Sequence, residues 1–277
     1  VKIFLILGLI LFLVPLELDA YSDYPWLETY NPNHAIVNRI AVPRGFERIE
    51  VSKGSFADWL RHLPLKAGKP PIYLYDGRKK INQSVHYAVI DIDVGKRDLQ
   101  QCADAVIRFR AEYLYSKADY NAIHFNFTSG DEASYLKWRQ GYRPLINGNK
   151  VKWRKTRRLE PSRRNFQQYT NIVFTYAGSY SLSKELKPVK NINQMKIGDI
   201  FIKGGFPGHA VIVVDMAKHK TTGKKLFLLA QSYMPAQDVH ILVNPLNINL
   251  SPWYELEFGE TLYTPEWHFS RDQLKRF

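Results

Sequence analysis

Three kinds of hydrophobic spacing run along this chain. Ile3 to Pro15 is an almost unbroken apolar run. From Asp98 to about Tyr115, the residues Leu99, Cys102, Ala103, Val106, Tyr113 and Leu114 recur at spacings of three, four and seven. That period predicts a helix with one buried stripe, capped by Asp98. Val85–Val94 alternates and is β-branched, which predicts a strand. Ala122–Thr128 is a second strand with unlike faces: Ile123, Phe125 and Phe127 point one way, and His124, Asn126 and Thr128 the other.

Turn and cap residues place the remaining elements. Ser55 is positioned to cap a short helix from Phe56 to Leu63 that stops before Pro64, and Asp131–Gln140 is a further helix candidate. Pro70-Pro71 and Asp76-Gly77 bracket a brief strand, Ile72–Tyr75. Asn147-Gly148 stands between Tyr142–Ile146 and Val151–Arg154 and predicts a hairpin. The last third holds strands Ile200–Lys203, His209–Met216, Leu226–Tyr233 and Val239–Val243. Their short connections predict an antiparallel meander. A Cys-bearing helix first and a meander later make the expected fold class α+β. The expected organisation is a single domain over residues 21–277 with its core at about 95–245.

The first apolar run changes meaning once its flanks are included. Lys2 precedes it and Leu18-Asp19-Ala20 follows, the order of a secretory signal cut near Tyr21. The run is short for a membrane span, so no stable span is expected after cleavage, and because Leu18 suits the cut poorly an uncleaved anchor is the alternative. Removing residues 1–20 takes away Lys2, Glu17 and Asp19 and moves the net charge from +13 to +14. A basic exported protein is drawn to anionic surfaces, periplasmic or extracellular. Nucleic acid suits the charge but not that compartment, so the expected partner is a cell-wall peptide or glycan. With 45% hydrophobic residues, the chain is globular rather than disordered.

One cysteine, Cys102, is present. Exported proteins usually pair their cysteines, so a lone one is either a small buried apolar group or a reactive thiol. It lies in the first turn or so of the expected helix, where unpaired N–H groups favour a thiolate. His209 opens a strand after Gly204-Gly205-Phe206-Pro207-Gly208, and Gln231 ends the next strand. A thiol, a general base and a polar group that orients the base are the parts of nucleophilic acyl transfer. If residues 209 and 231 face one another across the hairpin, with 216–224 as the connection, their Cβ atoms lie about 4.5–5.5 Å apart.

Gln101-Cys102-Ala103-Asp104, Met195-Lys196-Ile197-Gly198-Asp199-Ile200-Phe201 and Gly208-His209-Ala210-Val211-Ile212-Val213-Val214 together resemble the NlpC-like cysteine peptidases. That branch of the papain-like group cleaves peptide bonds of cell-wall peptidoglycan. The resemblance covers about residues 95–235. It implies a papain-like fold, with Cys102 as nucleophile, His209 as base and Gln231 as the third polar residue. Three departures stand out. Gln101-Cys102-Ala103-Asp104 replaces the usual Asp-Cys-Ser-Gly, Cys102 and His209 are 107 residues apart, and the third residue is a glutamine. Over most of its length the chain is also similar to a family of uncharacterised bacterial exported proteins. Asp98–Val106, Ile123–Phe127, Gly208–Val211 and Leu229–Tyr233 carry that likeness.

Other candidates are weaker. His124 and Asn126 either line the same cleft or face solvent. Lys150–Arg164 carries eight Lys or Arg, and its Trp153 and Arg154 are candidates for binding an anionic polymer. The alternative function is therefore an inactive envelope- or glycan-binding protein. His209, Asp215 and His219 cluster in sequence, but six residues of strand span about 20 Å, too far for one ion. No metal site and no cofactor is expected, since phosphate-cradling and dinucleotide motifs are missing.

Overall fold

A computed structural model describes residues 23–277; the expected signal segment and its cut near Tyr21 lie outside the described residues. The chain runs through α1 (Ile36–Arg39), β1 (Phe46–Arg48), α2 (Phe56–Arg61), β2 (His86–Val89) and α3 (Cys102–Ser116). It continues with β3 (His124–Asn126), β4 (Glu132–Ser134), α4 (Tyr135–Arg139), β5 (Tyr142–Asn147) and β6 (Lys150–Lys155). Next come α5 (Arg163–Tyr176), α6 (Ser179–Glu185), β7 (Lys187–Pro188), β8 (Ile200–Lys203), β9 (His209–His219) and β10 (Lys225–Gln231). The last strands are β11 (His240–Leu242), β12 (Tyr254–Glu255), β13 (Thr261–Tyr263), β14 (His268–Ser270) and β15 (Leu274–Arg276). The molecule is α+β, as its spacing predicts.

β8, β9, β10 and β11 form the expected antiparallel meander at the centre of a sheet ordered β2-β11-β10-β9-β8-β15-β7. β1 joins the far half of β9, and β12 joins β10. Sequence-distant strands thus cover both flanks of the meander. β15 is held there by charge: Arg276 grips Asp199 through two hydrogen bonds of 2.6 and 2.8 Å. The Asp199 carboxylate also accepts from the Lys196 N–H at 2.8 Å, so Gly198-Asp199 is a structural corner.

α3 packs across β9 and is buried almost all round, from Cys102 to Phe109 and again at Ala111, Glu112, Leu114 and Tyr115. It is a central helix rather than one with a single apolar stripe. Its charged residues must therefore find partners inside the protein. Arg108 Nε meets Glu112 Oε1 at 2.6 Å, and Arg163 reaches the same carboxylate from α5.

Several local expectations are corrected. The helix starts at Cys102 with Gln101 as N-cap, because Asp98 is used elsewhere. Ile72–Tyr75 is not a strand; Tyr73 and Leu74 make only isolated bridges, to Lys79 and Gln237. Residues 131–140 split into β4 and α4, since Ser134 caps the helix through the Lys137 N–H. The hairpin turn is Gly148-Asn149, one residue on from Asn147-Gly148: Asn147 pairs with Lys150, and Gly148 takes φ +56°. α5 and α6 were not predicted at all. The Lys/Arg run up to Arg164 hides the start of α5, where Ser162 accepts from the Asn165 N–H.

Asp215 is fully buried between Arg48 and Arg61, each at 2.7 Å. It anchors β1 and α2 to β9. Asp215→Ala would leave two guanidinium groups without a counter-charge, an expected loss of about 3–5 kcal/mol. Urea denaturation measures it; an unchanged midpoint would show that the ion pair contributes nothing.

Candidate functional site

Three segments meet where α3 begins. Asp98 Oδ1 accepts from the Ala236 N–H at 2.7 Å and from Gln101 Nε2 at 2.9 Å. Ser232 Oγ bridges the carbonyls of Gln100 and Gln237, at 3.0 and 2.9 Å. The chain leaving β10 thus clamps the start of the helix. Asp104 completes the first turn, its Oδ2 accepting from the Gln101 N–H at 3.1 Å. This explains the unusual Gln101-Cys102-Ala103-Asp104 run: its acid caps the helix.

Cys102 is the first helical residue and is 8% exposed. Burial, and then the Asp104 charge, push its thiol up to about 11. Backbone hydrogen bonds from Ala210, Ala103 and Cys102 itself act in the opposite direction. Ala210 directly follows His209, so the backbone that acts on the thiol belongs to the strand that carries the imidazole, across which α3 packs. Tyr233 neighbours both groups. Its ring centre is 4.9 Å from that of His209, and its phenol is raised by burial, by Glu266 and by Cys102. The sulfur forms no hydrogen bond to the ring in this resting arrangement.

His209 enters β9 through Gly208, where any side chain is excluded. A Cβ there would lie 2.2 Å from Ser179 Oγ and 2.5 Å from the Gly205 carbonyl. The expected direct pairing of residues 209 and 231 is corrected. Ala230 pairs with Ile212, and the connection is the shorter 220–224, so Gln231 stands diagonally from His209 on the same face. A diagonal neighbour is still within reach of a long side chain. His209 Nε2 and Gln231 Oε1 are 2.8 Å apart. Gln231 pairs with His240 on β11, which puts His209, Gln231 and His240 in one row across three strands.

The proton positions along that row follow from what each partner can do. The His240 Nδ1–H donates to the Asp238 carbonyl at 2.9 Å, so its Nε2 is an acceptor. Gln231 Nε2 donates there at 3.3 Å and to Glu266 Oε2 at 3.1 Å. Gln231 Oε1 then accepts from the His209 Nε2–H, which leaves His209 Nδ1 with the lone pair. Glu266 is itself held by Lys80 Nζ at 2.7 Å. Trp267 and Phe269 pack beside the His209 ring, which is 2% exposed. Burial drives this imidazole down to about 4, against the Gln231 hydrogen bond, and Lys80 adds to the fall.

Of the sequence candidates, His209 and Gln231 meet in a hydrogen bond, and Cys102 lies at the start of α3, where the backbone of Ala210, the residue after His209, acts on its thiol. His124 and Asn126 do not join them. His124 is exposed, while the Asn126 N–H donates to Glu185 Oε2 of α6 at 2.8 Å. Arg154 is exposed on β6, but Trp153 is half-buried and packed on the core, so it does not offer a free ring face. Lys80, Asp104, His240 and Glu266 were missed. Asp104 stands in the quoted Gln101–Asp104 run without a role, while neither spacing nor composition marks Lys80, His240 and Glu266, because each reaches the site from a different part of the chain. Among the described residues no helix is long and apolar enough to cross a membrane, and no three His, Cys, Asp or Glu gather as a metal ion requires.

Fold and site together define an α+β protein that holds one thiol and one neutral imidazole where a buried helix starts against a meander. The chain belongs to the family described as domain of unknown function (4846), whose profile matches residues 36–276 and so includes every residue of this site. No curated protein and no solved structure matches it.

His209 and His240 lie at about 4 and about 3, both driven down chiefly by burial from an ordinary 6.5. The unfolded chain therefore takes up protons first as pH falls. The stability these groups contribute is complete above 6.5 and is lost as pH drops toward 4, by about 1.4 kcal/mol per pH unit for each histidine. Urea midpoints at about pH 7 and about pH 5 measure the loss; equal midpoints would contradict two buried neutral imidazoles.

Proposed function

We propose that this protein is an exported cysteine amidase or peptidase acting on peptide or amide bonds of the cell envelope, in an NlpC-like manner. The observation that carries this reading is the Cys102–Ala210 contact beside the His209–Gln231 hydrogen bond. Cys102 opens α3, and Ala210, whose backbone acts on its thiol, directly follows His209, whose tautomer is set by Gln231. The remaining support is the resemblance of the segments around Cys102 and His209 to those peptidases.

The chemistry follows from the protonation states. With the thiol at about 11 and the imidazole at about 4, both groups rest neutral at physiological pH. Attack is then base-assisted rather than launched from a standing ion pair. His209 Nδ1 takes the thiol proton while Cys102 Sγ bonds to the carbonyl carbon. The oxyanion meets the backbone N–H groups of Cys102 and Ala103 at the helix start. The imidazolium then gives its proton to the leaving amine, and the C–N bond breaks to leave a thioester. Water, deprotonated by the same nitrogen, hydrolyses it and restores the thiol. Gln231 stabilises the imidazolium through Oε1. Glu266 is a positioning residue: it holds the Gln231 amide in the only orientation that presents oxygen to His209.

A second reading rests on the basic hairpin. Lys150, Lys152 and Arg154 are exposed on β6, and none forms an ion pair among the described residues. Such a stripe suits an anionic envelope polymer. It predicts salt-sensitive retention on purified cell wall that survives loss of Cys102; retention indifferent to salt would remove it.

For the hydrolase, Cys102→Ala and Cys102→Ser are expected to abolish release of fragments from purified peptidoglycan, and Gln231→Ala to slow it about tenfold or more. Undiminished release by both Cys102 variants would remove the mechanism. Iodoacetamide labelling of Cys102 is expected to be slow near neutrality and to climb about tenfold per pH unit toward the thiol's value, because only the thiolate reacts. Fast labelling at neutral pH would contradict the neutral resting pair.

A further inference from the structure

A second feature lies close to the nucleophile along the chain. A cavity of about 200 Å³ opens between the loop 93–100 and α5. Gln100 lines it, and two residues later comes Cys102. Two residues of chain span at most about 7 Å, so the α-carbons of Gln100, which lines the cavity, and of Cys102 lie within that distance.

The lining has a definite chemical character. Lys96, Arg97 and Arg108 supply cations against the single carboxylate of Asp93. Asp93 is mostly exposed and sits 3.4 Å from Arg108. Lys96 and Arg97 form no ion pair among the described residues. The buried Arg108 gives Nε to Glu112 and Nη1 to Gln100 Oε1 at 2.9 Å. A guanidinium has five N–H groups, so donors remain on Arg108. Gln100 is 2% exposed, and its Nε2 has no hydrogen-bond partner. Buried amide donors need an acceptor. Leu99 and Phe174 add an apolar wall beside these donors.

We infer that this cavity binds a carboxylate carried by the substrate, namely the free C-terminal carboxylate of a short peptide with small apolar side chains. This rests on the hydrolase reading for its purpose: the bond presented to Cys102 would lie one or two residues before the chain end. The cations attract the carboxylate, the remaining donors of Arg108 receive its oxygens, and Leu99 and Phe174 accept the adjoining side chain. An amidated or blocked end lacks the charge that this lining requires. The substrate class is therefore peptides with free carboxyl ends.

The test is binding, not turnover, so it stands apart from the fate of the hydrolase reading. Full-length protein carrying Cys102→Ala is titrated by calorimetry with N-acetyl-alanyl-alanine and with the same dipeptide as its C-terminal amide. The acid is expected to bind about tenfold more tightly or better, as befits a charge-assisted contact. The Lys96→Ala/Arg97→Ala double variant changes two exposed side chains, so folding, checked by circular dichroism, is expected to persist. In it the preference for the acid is expected to shrink to about threefold or less. Equal binding of acid and amide, no binding of either by folded protein, or a preference untouched in the double variant would each overturn the proposal. So would inorganic phosphate displacing the acid more effectively than acetate does, since the cavity would then be a phosphate site. Should wall hydrolysis prove unaffected by Cys102 while the preference for the acid survives, the hydrolase reading alone falls.

Discussion

The docking of the first turn of α3 against the start of β9 is the contact on which the rest of this molecule depends. A helix start carries unpaired N–H groups and would ordinarily sit at the surface. Here it is driven inside by apolar packing of α3 across the sheet. The connections absorb the cost: Asp104 caps the turn, Asp98 ties it to Ala236, and Ser232 bridges Gln100 and Gln237. Those bonds fasten the start of α3 to the chain leaving β10, while packing of the helix across β9 brings it to the strand that begins at His209.

Burial then governs the chemistry. In this setting neither the thiol nor the imidazole carries charge easily, and the shifts of Cys102 and His209 in opposite directions have the same main cause. Hydrogen bonds stand in for charge as the means of orientation. The row His209–Gln231–His240, fastened at its side by Glu266 and Lys80, determines which nitrogen keeps its proton. A carboxylate in place of Gln231 would bring a second negative group beside Glu266. The glutamine lets one side chain serve His209 with its oxygen while satisfying an acid and a second imidazole with its nitrogen.

The buried ion pairs form the frame around this centre. Asp215 joins β1 and α2 to the middle of β9, Asp199 joins β15 to the edge of the meander, and Glu112 joins α3 to α5. Each links segments far apart in sequence. The cavity beside Gln100 borders the last of these, through Arg108, so the helix that presents Cys102 also forms one wall of a cation-rich pocket.

Residue spacing alone determined the meander, the short helix after Ser55, the alternation at Ile123–Phe127 and the α+β class, because each is a local repeat that exposes its period. It also marked Cys102, His209 and Gln231, since a lone thiol, a histidine after a tight glycine and a polar residue ending an apolar strand stand out in one dimension. Tertiary structure decided what surrounds them. The 220–224 turn set the β9–β10 register and so made the His209–Gln231 approach diagonal. Total burial of α3 turned an expected stripe into a central helix. Lys80, Glu266 and His240 came to the site from three separate segments, and His124 and Asn126 went to α6. Such outcomes depend on which surfaces meet when the core closes, a property of the whole chain that no window of it contains.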